Sequence, residues 1–291
     1  MPSPLTQVRV PASTSNLGSG FDCLGLALDL WLQARLAEGT GDPIYSGTVS
    51  GIKQDDDFLF LTLGGSLPPG LRLEVESDIP VSRGLGSSAA ARVAGLVLSQ
   101  LVAGAAPERD SIFDSAEKLE GHPDNAGPAV YGGLVLSARR PKTLKLHSSL
   151  GIALAIPEQP VSTQAARAIL PKLVAREDAI SQASRSAALL LGLTLGDGDM
   201  IGYGMEDMIA VPHRRQLIPG FSAAAGTGVE TGAHGVTISG AGSGIVAIAA
   251  KEAAPDVAVA MATALTQSGN TAVALWPAVV TGGYEVGGDR S

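Results

Sequence analysis

The residues best suited to chemistry sit in loops of glycine and serine. Pro80 to Arg92 reads PVSRGLGSSAAAR: Gly84 and Gly86 free the backbone, Ser87 and Ser88 supply hydroxyls, and an apolar helix starts at once. A helix N-terminus exposes unpaired N–H groups and a partial positive charge, so this segment can hold phosphate oxygens without a lysine. A tight turn that merely needs glycine is the plainer reading of the same residues. Near the start, PASTSNLGSGFDCLG gathers Ser13, Ser15, Asn16 and Asp22 around Gly18 and Gly20; late in the chain Ser239, Gly240, Gly242, Ser243 and Gly244 lie between two strand-like runs. Three such loops point to backbone amides lining one anionic site.

The stretch EKLEGHPDN adds a metal and polar-substrate side. Glu117, one turn from Phe113 at the edge of an apolar stripe, can point into a cleft, and magnesium needs only a carboxylate, a loop serine, phosphate oxygens and water. A solvated helix end and an ordinary turn are the alternatives for Glu117, Glu120 and His122 to Asn125. Arg167, Arg214 and Arg215 lie beside loops and could clamp a carboxylate in bidentate geometry, although most arginines are surface residues. Other chemistries fit poorly. The GxGxxA match at Gly84 lacks the strand and acidic residue of a dinucleotide fold, and neither GxxxxGK[ST] nor GxSxG occurs. Cys23 has no neighbouring histidine and reads as a buried thiol.

The elements that must carry these loops follow from periodicity. Val8 and Val10, Leu26 to Leu36, and Leu71, Leu73 and Val75 have strand patterning, with turns at 39–43 and 64–70. From Ser87, a plausible N-cap, Ala89, Val93, Leu96, Val97 and Leu101 form a helical stripe. A second helix spans Glu108 to Glu120, with Ile112, Phe113, Ala116 and Leu119 inward and Gly121 at its end. After Gly133 come strands at LVLSA and Gly151 to Pro157, helices in STQAARAIL and EDAISQASRSAALLL, a strand–loop–strand at GVTISGAGSGIVAIAA, a helix after Pro255 and a strand near TAVALW. The glycine-rich end GGYEVGGDRS reads as a frayed tail.

Composition narrows the class. Of 291 residues 37 are glycine and 16% are charged, so the backbone carries more information than surface charge. A net charge of −8 with no Lys/Arg cluster argues against nucleic acid as a partner. A single cysteine excludes an intrachain disulfide, and with four histidines it makes structural zinc a poor fit. No basic leader precedes an apolar run and no run is long enough for a membrane span, so a soluble, cytoplasmic chain without a membrane partner is expected.

Taken together, VPASTSNLGSGFDCLGLAL, PVSRGLGSSAAA, EGHPDN, STQAAR, PHRRQLIPG and GVTISGAGSG resemble the motifs of the GHMP small-molecule kinases, most closely the homoserine kinase family, from about Val10 to about Ala250. The resemblance implies an α+β fold of two parts. Residues 1–145 would be an N-terminal ATP-binding domain of the ribosomal protein S5 domain 2-like kind with a left-handed βαβ unit, and 146–291 a C-terminal ferredoxin-like domain. It also implies transfer of the ATP γ-phosphoryl group to the hydroxyl of L-homoserine, with Mg²⁺, in a homodimer. By motif position Arg83, Gly84, Leu85, Gly86, Ser87 and Ser88 would hold ATP phosphates, and Ser88 and Glu117 the metal. Asn16, Asp22, His122, Asp124, Asn125, Arg167 and Arg214 would surround homoserine, with Asn16 positioning its hydroxyl. Ser239, Gly240, Ala241 and Gly242 would form the third-motif loop. No catalytic base is assigned.

The sequence departs from the family pattern at three places: Ser19 stands where proline is usual, Ser243-Gly244 where proline-threonine is common, and His213 where tyrosine is frequent. Another GHMP kinase acting on a sugar or isoprenoid alcohol, and a noncatalytic phosphate-ligand module, are the competing readings.

Overall fold

The computed structural model describes residues 6–54, 57–65 and 67–287. The first five residues of the leader reading and the last four of the expected tail lie outside them. The first layer runs β1 (Thr6–Ser15), β2 (Leu24–Glu38), β3 (Ile44–Gly47), α1 (Phe58–Thr62), β4 (Leu71–Ser77), α2 (Ser87–Val102), α3 (Arg109–Glu120), α4 (Ala126–Tyr131), β5 (Leu134–Ser137) and β6 (Pro141–Leu144). The second runs β7 (Leu150–Pro157), α5 (Thr163–Ala168), α6 (Arg176–Leu195), α7 (Gly198–Met205), α8 (Val211–Arg214), α9 (Phe221–Glu230), β8 (Ala233–Ile238), β9 (Ile245–Ala250), α10 (Ala254–Gln267) and β10 (Ala272–Leu275). A short β11 (Glu285–Val286) closes the chain.

The long strand β2 organises the first sheet. Along one part it pairs with β4, at its start it pairs with β5, and β1 runs antiparallel beside it, interrupted by a bulge at Pro11/Ala12. β3 and β4 are parallel and joined through α1. The second sheet has the order β10-β7-β9-β8, antiparallel throughout. Its two faces read differently because successive strand residues point to opposite sides. Ile152, Leu154 and Ile156 of β7 join a core shared with the first layer, while Ala153 and Ala155 pack with α9 and α10 in a second core. Among the described residues no helix is long and apolar enough to cross a membrane.

Three expectations are corrected. Ser87 is not the cap of α2: Gly86 holds that position in left-handed conformation, without a side-chain cap, because the chain needs φ of 67° to enter the helix. Leu119 is exposed, since the inward phase of α3 runs through Ile112, Phe113 and Ala116. The glycine-rich end is not frayed as far as Gly287. Val286 and Glu285 pair with Val8 and Arg9, and Tyr284 is buried, its N–H bonded to Ala129 O at 2.9 Å and its ring under the Arg109 guanidinium at 4.6 Å.

That closing segment is therefore part of the core of the first layer. Tyr284→Ala is expected to lower the unfolding free energy by about 3 kcal/mol, the scale of a large aromatic truncation. Urea denaturation measures it, and a loss below roughly 0.5 kcal/mol, ordinary for a surface position, would return the segment to a tail.

Candidate active site

A cleft of about 530 Å³ opens between the two sheets, lined by all three glycine loops. Their meeting is a backbone affair. At Gly84, φ is +72° and an added Cβ would sit 1.9 Å from the Ser239 carbonyl oxygen; at Gly86 it would sit 2.2 Å from Ser13 Oγ. Ser239 Oγ donates to Gly84 O at 2.7 Å and pairs with Thr14 Oγ1 at 2.8 Å, and Gly240 N–H donates to Ser15 O at 3.1 Å. With no side chain capping α2, the N–H groups of Ser87, Ser88 and Ala89 have no partner within the helix and form an anion-binding end beside the cleft.

The polar side of the cleft is built from pairs. Arg167, on α5, grips Asp22 bidentately at 2.8 and 3.2 Å, both side chains about a third exposed. Arg214, at the end of α8, is buried and donates to Ala166 O and Gly240 O at 3.0 and 3.1 Å. Burial, then the neighbouring Arg167 charge, lower its pKa, though a guanidinium stays charged. Asn16 has φ of 70°; its Nδ2 donates to Gly240 O at 3.0 Å and its Oδ1 accepts the Asp22 N–H at 2.8 Å. His122 Nδ1 bonds Asp124 Oδ1 at 2.7 Å. Asn125 links Ser13, Ser15 and Asp124, tying the start of α4 to the end of β1.

These features recur in known proteins. The GHMP kinases N terminal domain model matches residues 54–133. The homoserine kinase of Picosynechococcus sp. is 39% identical over 289 residues, covering 92% of this chain and 94% of its own. The chain belongs to the GHMP kinase family. The homoserine kinase of Moorella thermoacetica is likewise 39% identical, covering 90% of this chain and 93% of its own. The crystal structure of homoserine kinase from Cytophaga hutchinsonii superposes with a TM-score of 0.84 at 29% identity, covering 98% of each chain. The resemblance to homoserine kinases thus holds along nearly the whole GHMP kinase chain.

Within this GHMP kinase most of the expected site residues line the cleft: Asn16, Asp22, Gly84, Leu85, Gly86, Ser87, Ser88, His122, Asp124, Asn125, Arg167, Arg214, Gly240, Ala241 and Gly242. Three do not. Arg83 turns away from the cleft and donates to the carbonyls of Val81, Pro157 and Glu158, stapling the phosphate-type loop to the end of β7. Ser239 is fully buried in the knot between loops. Glu117 does not reach the cleft, whereas Glu120 does: Ser88 Oγ donates to its Oε1 at 2.5 Å and Arg92 Nε lies 2.9 Å from the same oxygen. Each glutamate follows a buried residue by one turn, Glu117 after Phe113 and Glu120 after Ala116, but it is Glu120, the last residue of α3, that meets Ser88 and Arg92 of α2.

Glu120 and Arg92 were therefore missed, as was an apolar end of the cleft around Tyr45, Val49, Ile52 and Phe58. So was buried Asp207, which accepts N–H bonds from Ile209, Ala210 and Val211 and one from Gln182 Nε2 at 2.7 Å, setting the start of α8 and hence Arg214. Ser19 does work a proline would not: its hydroxyl donates to Gly204 O at 2.5 Å. At Gly244 a Cβ would sit 2.5 Å from Arg83 O, so the departure there admits the staple. His213 is half-buried, and nothing around it explains the departure. Burial first, then the charges of Asp124 and Asp22, push the Cys23 thiol up, keeping it protonated.

Among the described residues no group of three or more His, Cys, Asp or Glu could hold a metal. The pair Ser88 and Glu120 still suits Mg²⁺, which keeps waters and takes one or two carboxylates plus phosphate oxygens.

Burial pushes the His122 imidazole down, but the Asp124 hydrogen bond and charge, with Glu120, outweigh burial and the opposing Arg167 charge, so its pKa is raised. A raised pKa in the folded state stabilises fully below the unfolded value of about 6.5, and that contribution disappears as pH rises through the folded value. The stability difference between the native chain and His122→Asn should be largest below about pH 6.5 and shrink above the folded pKa. Denaturant midpoints across pH measure it; a difference constant with pH would remove the coupling.

Proposed function

We propose that this GHMP kinase transfers the γ-phosphoryl group of ATP to the side-chain hydroxyl of L-homoserine, giving O-phospho-L-homoserine and ADP. The observation that carries the reading is the charge pattern of the cleft, where Asp22 faces Arg167 at 2.8 Å and Arg214 lines the same space. A zwitterionic amino acid offers the complementary pair. Its ammonium replaces Arg167 at Asp22, and its carboxylate takes the two arginines, where the planar guanidinium fork matches its geometry. Similarity over nine-tenths of the chain to proteins named homoserine kinase supports the same substrate class.

The free N–H groups at the start of α2 hold phosphate oxygens and stabilise the charge of the transferring group. Asn16 keeps one amide hydrogen and one Oδ1 lone pair beyond its bonds to Gly240 and Asp22, enough to orient the substrate hydroxyl. That oxygen bonds to the γ-phosphorus as the bond to the ADP oxygen breaks. No side chain is assigned as base, and the hydroxyl proton passes to a phosphoryl oxygen or to water. Ser88 and Glu120 would hold Mg²⁺, whose charge offsets that of the triphosphate.

The same reading carries a homodimer, a cytoplasmic location and a division near residue 145 into ribosomal protein S5 domain 2-like and ferredoxin-like parts. The parallel β3–α1–β4 unit supports the first label. Support for the second comes from the β-α-β-β-α-β succession of β7 to β10 and its sheet order, fourth, first, third, second.

A coupled ADP-release assay over homoserine, threonine, mevalonate, galactose and shikimate tests the proposal. Homoserine should be strongly preferred, and preference for another alcohol would sink it; ATP binding without transfer to any would favour the noncatalytic module. Asp22→Asn should lower kcat/KM for homoserine by roughly tenfold or more, the scale of a lost charge-assisted bond. Glu120→Gln should impair Mg·ATP use by roughly a hundredfold while Glu117→Gln stays within about twofold. The reverse order would restore Glu117 to the metal.

A further inference from the structure

A second cavity, of about 730 Å³, lies outside the cleft and shares none of its lining residues. Both layers wall it. Leu134 and Leu144 come from the β5–β6 hairpin, Leu150 and Ile152 from β7, and Trp276 and Val279 from the segment that returns to the first sheet. Its volume is in the range of small-molecule sites, and its walls are mostly apolar.

Charge distinguishes it further. The chain carries 28 acidic residues against 20 Lys and Arg, yet among the described residues no Asp or Glu lines this cavity, while Lys145, His147 and Lys251 all do. All three side chains are exposed, and backbone bonds fix where two of them start: Lys251 N–H donates to Ser149 O at 2.8 Å, and His147 N–H donates to Leu193 O at 2.9 Å. The His147 ring rests on Gly196, where a Cβ would come within 2.4 Å of Nδ1. Its Nδ1 accepts the Ser149 N–H at 3.4 Å and pairs with Ser149 Oγ at 2.8 Å. A neutral ring with Nδ1 accepting carries its proton on Nε2, so His147 is a donor there in either protonation state. Trp276 is 52% exposed at the cavity wall, a large aromatic surface left in water beside cations.

We propose that this cavity binds an organic anion with an apolar body, an aryl or acyl carboxylate or its sulfonate equivalent. Its charge meets Lys145, His147 and Lys251, and its body packs on Trp276 and the apolar residues of β7. Apolar area supplies the attraction and the basic side chains select for negative charge. The proposal does not rest on the substrate of the cleft, since its readout is binding alone.

Anilinonaphthalene sulfonate, an aryl anion, is the probe, added to the full chain with the cleft filled by a non-hydrolysable ATP analogue. The expected result is one bound probe per chain with energy transfer from tryptophan. Trp276→Phe should lower that transfer, because Trp276 stands in the cavity wall and the other tryptophan, Trp31 of β2, does not. Lys145→Glu with Lys251→Glu should weaken the probe by about tenfold or more, the scale of two lost charge contacts. The same double variant should leave the uncharged phenylnaphthylamine unaffected, which also shows that the fold is intact. Equal weakening of both probes, an unchanged sulfonate affinity, or no sulfonate binding would overturn the proposal. So would a dimer that dissociates in Trp276→Glu, because a second copy would then cover the cavity.

Discussion

The backbones of Gly84 and Ser239 approach more closely than any side chain at residue 84 would permit, and the cleft depends on that approach. Ser239 Oγ spans the contact, bonding Gly84 O on one side and Thr14 Oγ1 on the other, so one buried hydroxyl joins the three loops. Buried polar groups are costly unless paired, and here each one's partner belongs to a different loop. The consequence is positional. The N-terminus of α2, in the first layer, is held against the β8–β9 loop of the second, and Arg83 fastens the loop before α2 to the end of β7.

The charges in the cleft are arranged as exchangeable pairs. Asp22 with Arg167 and Glu120 with Arg92 are ion pairs, and Asp124 is hydrogen-bonded to His122. The first pair is partly exposed, so its own contribution to stability is small, on the order of 1 kcal/mol or less. A ligand bearing both an ammonium and a carboxylate then replaces the partners at little cost, whereas one bearing a single charge would strand the other residue. Under the proposed reaction, that asymmetry is what would favour a zwitterion.

Much of this was legible locally. The glycine loops, the strand of β1 and the helix α2 declare themselves because turn residues and periodicity act over a few neighbours. Glu120 was not separable from Glu117 by phase, since each lies one turn past a buried residue of α3, Ala116 and Phe113; its contact with Ser88 and Arg92 of α2 decides between them. Other features depend on partners far away in sequence. Arg83 sits inside a phosphate-loop motif and yet binds carbonyls 74 and 75 residues on. Ser19 answers to Gly204, Gln182 to Asp207, and β11 to the first strand of the chain. No local pattern marks such contacts, since each becomes determinate only when both segments are in place.

The withdrawal of Arg83 also changes how phosphate charge must be met. Among the described residues no lysine lines the cleft, Arg92 is engaged by Glu120, and Arg167 and Arg214 stand on the side of Asp22. Under the proposed reaction the triphosphate is left to the N–H groups of α2, the hydroxyls of Ser87 and Ser88, and the divalent cation. Fixed dipoles at a helix end need no reorganisation as charge shifts from the γ-phosphoryl to the ADP oxygen, and they hold donors at set positions where a flexible lysine would not. Arg167 and Arg214 are thereby left, under the same proposal, to a substrate carboxylate, with Asp22 beside them for an ammonium.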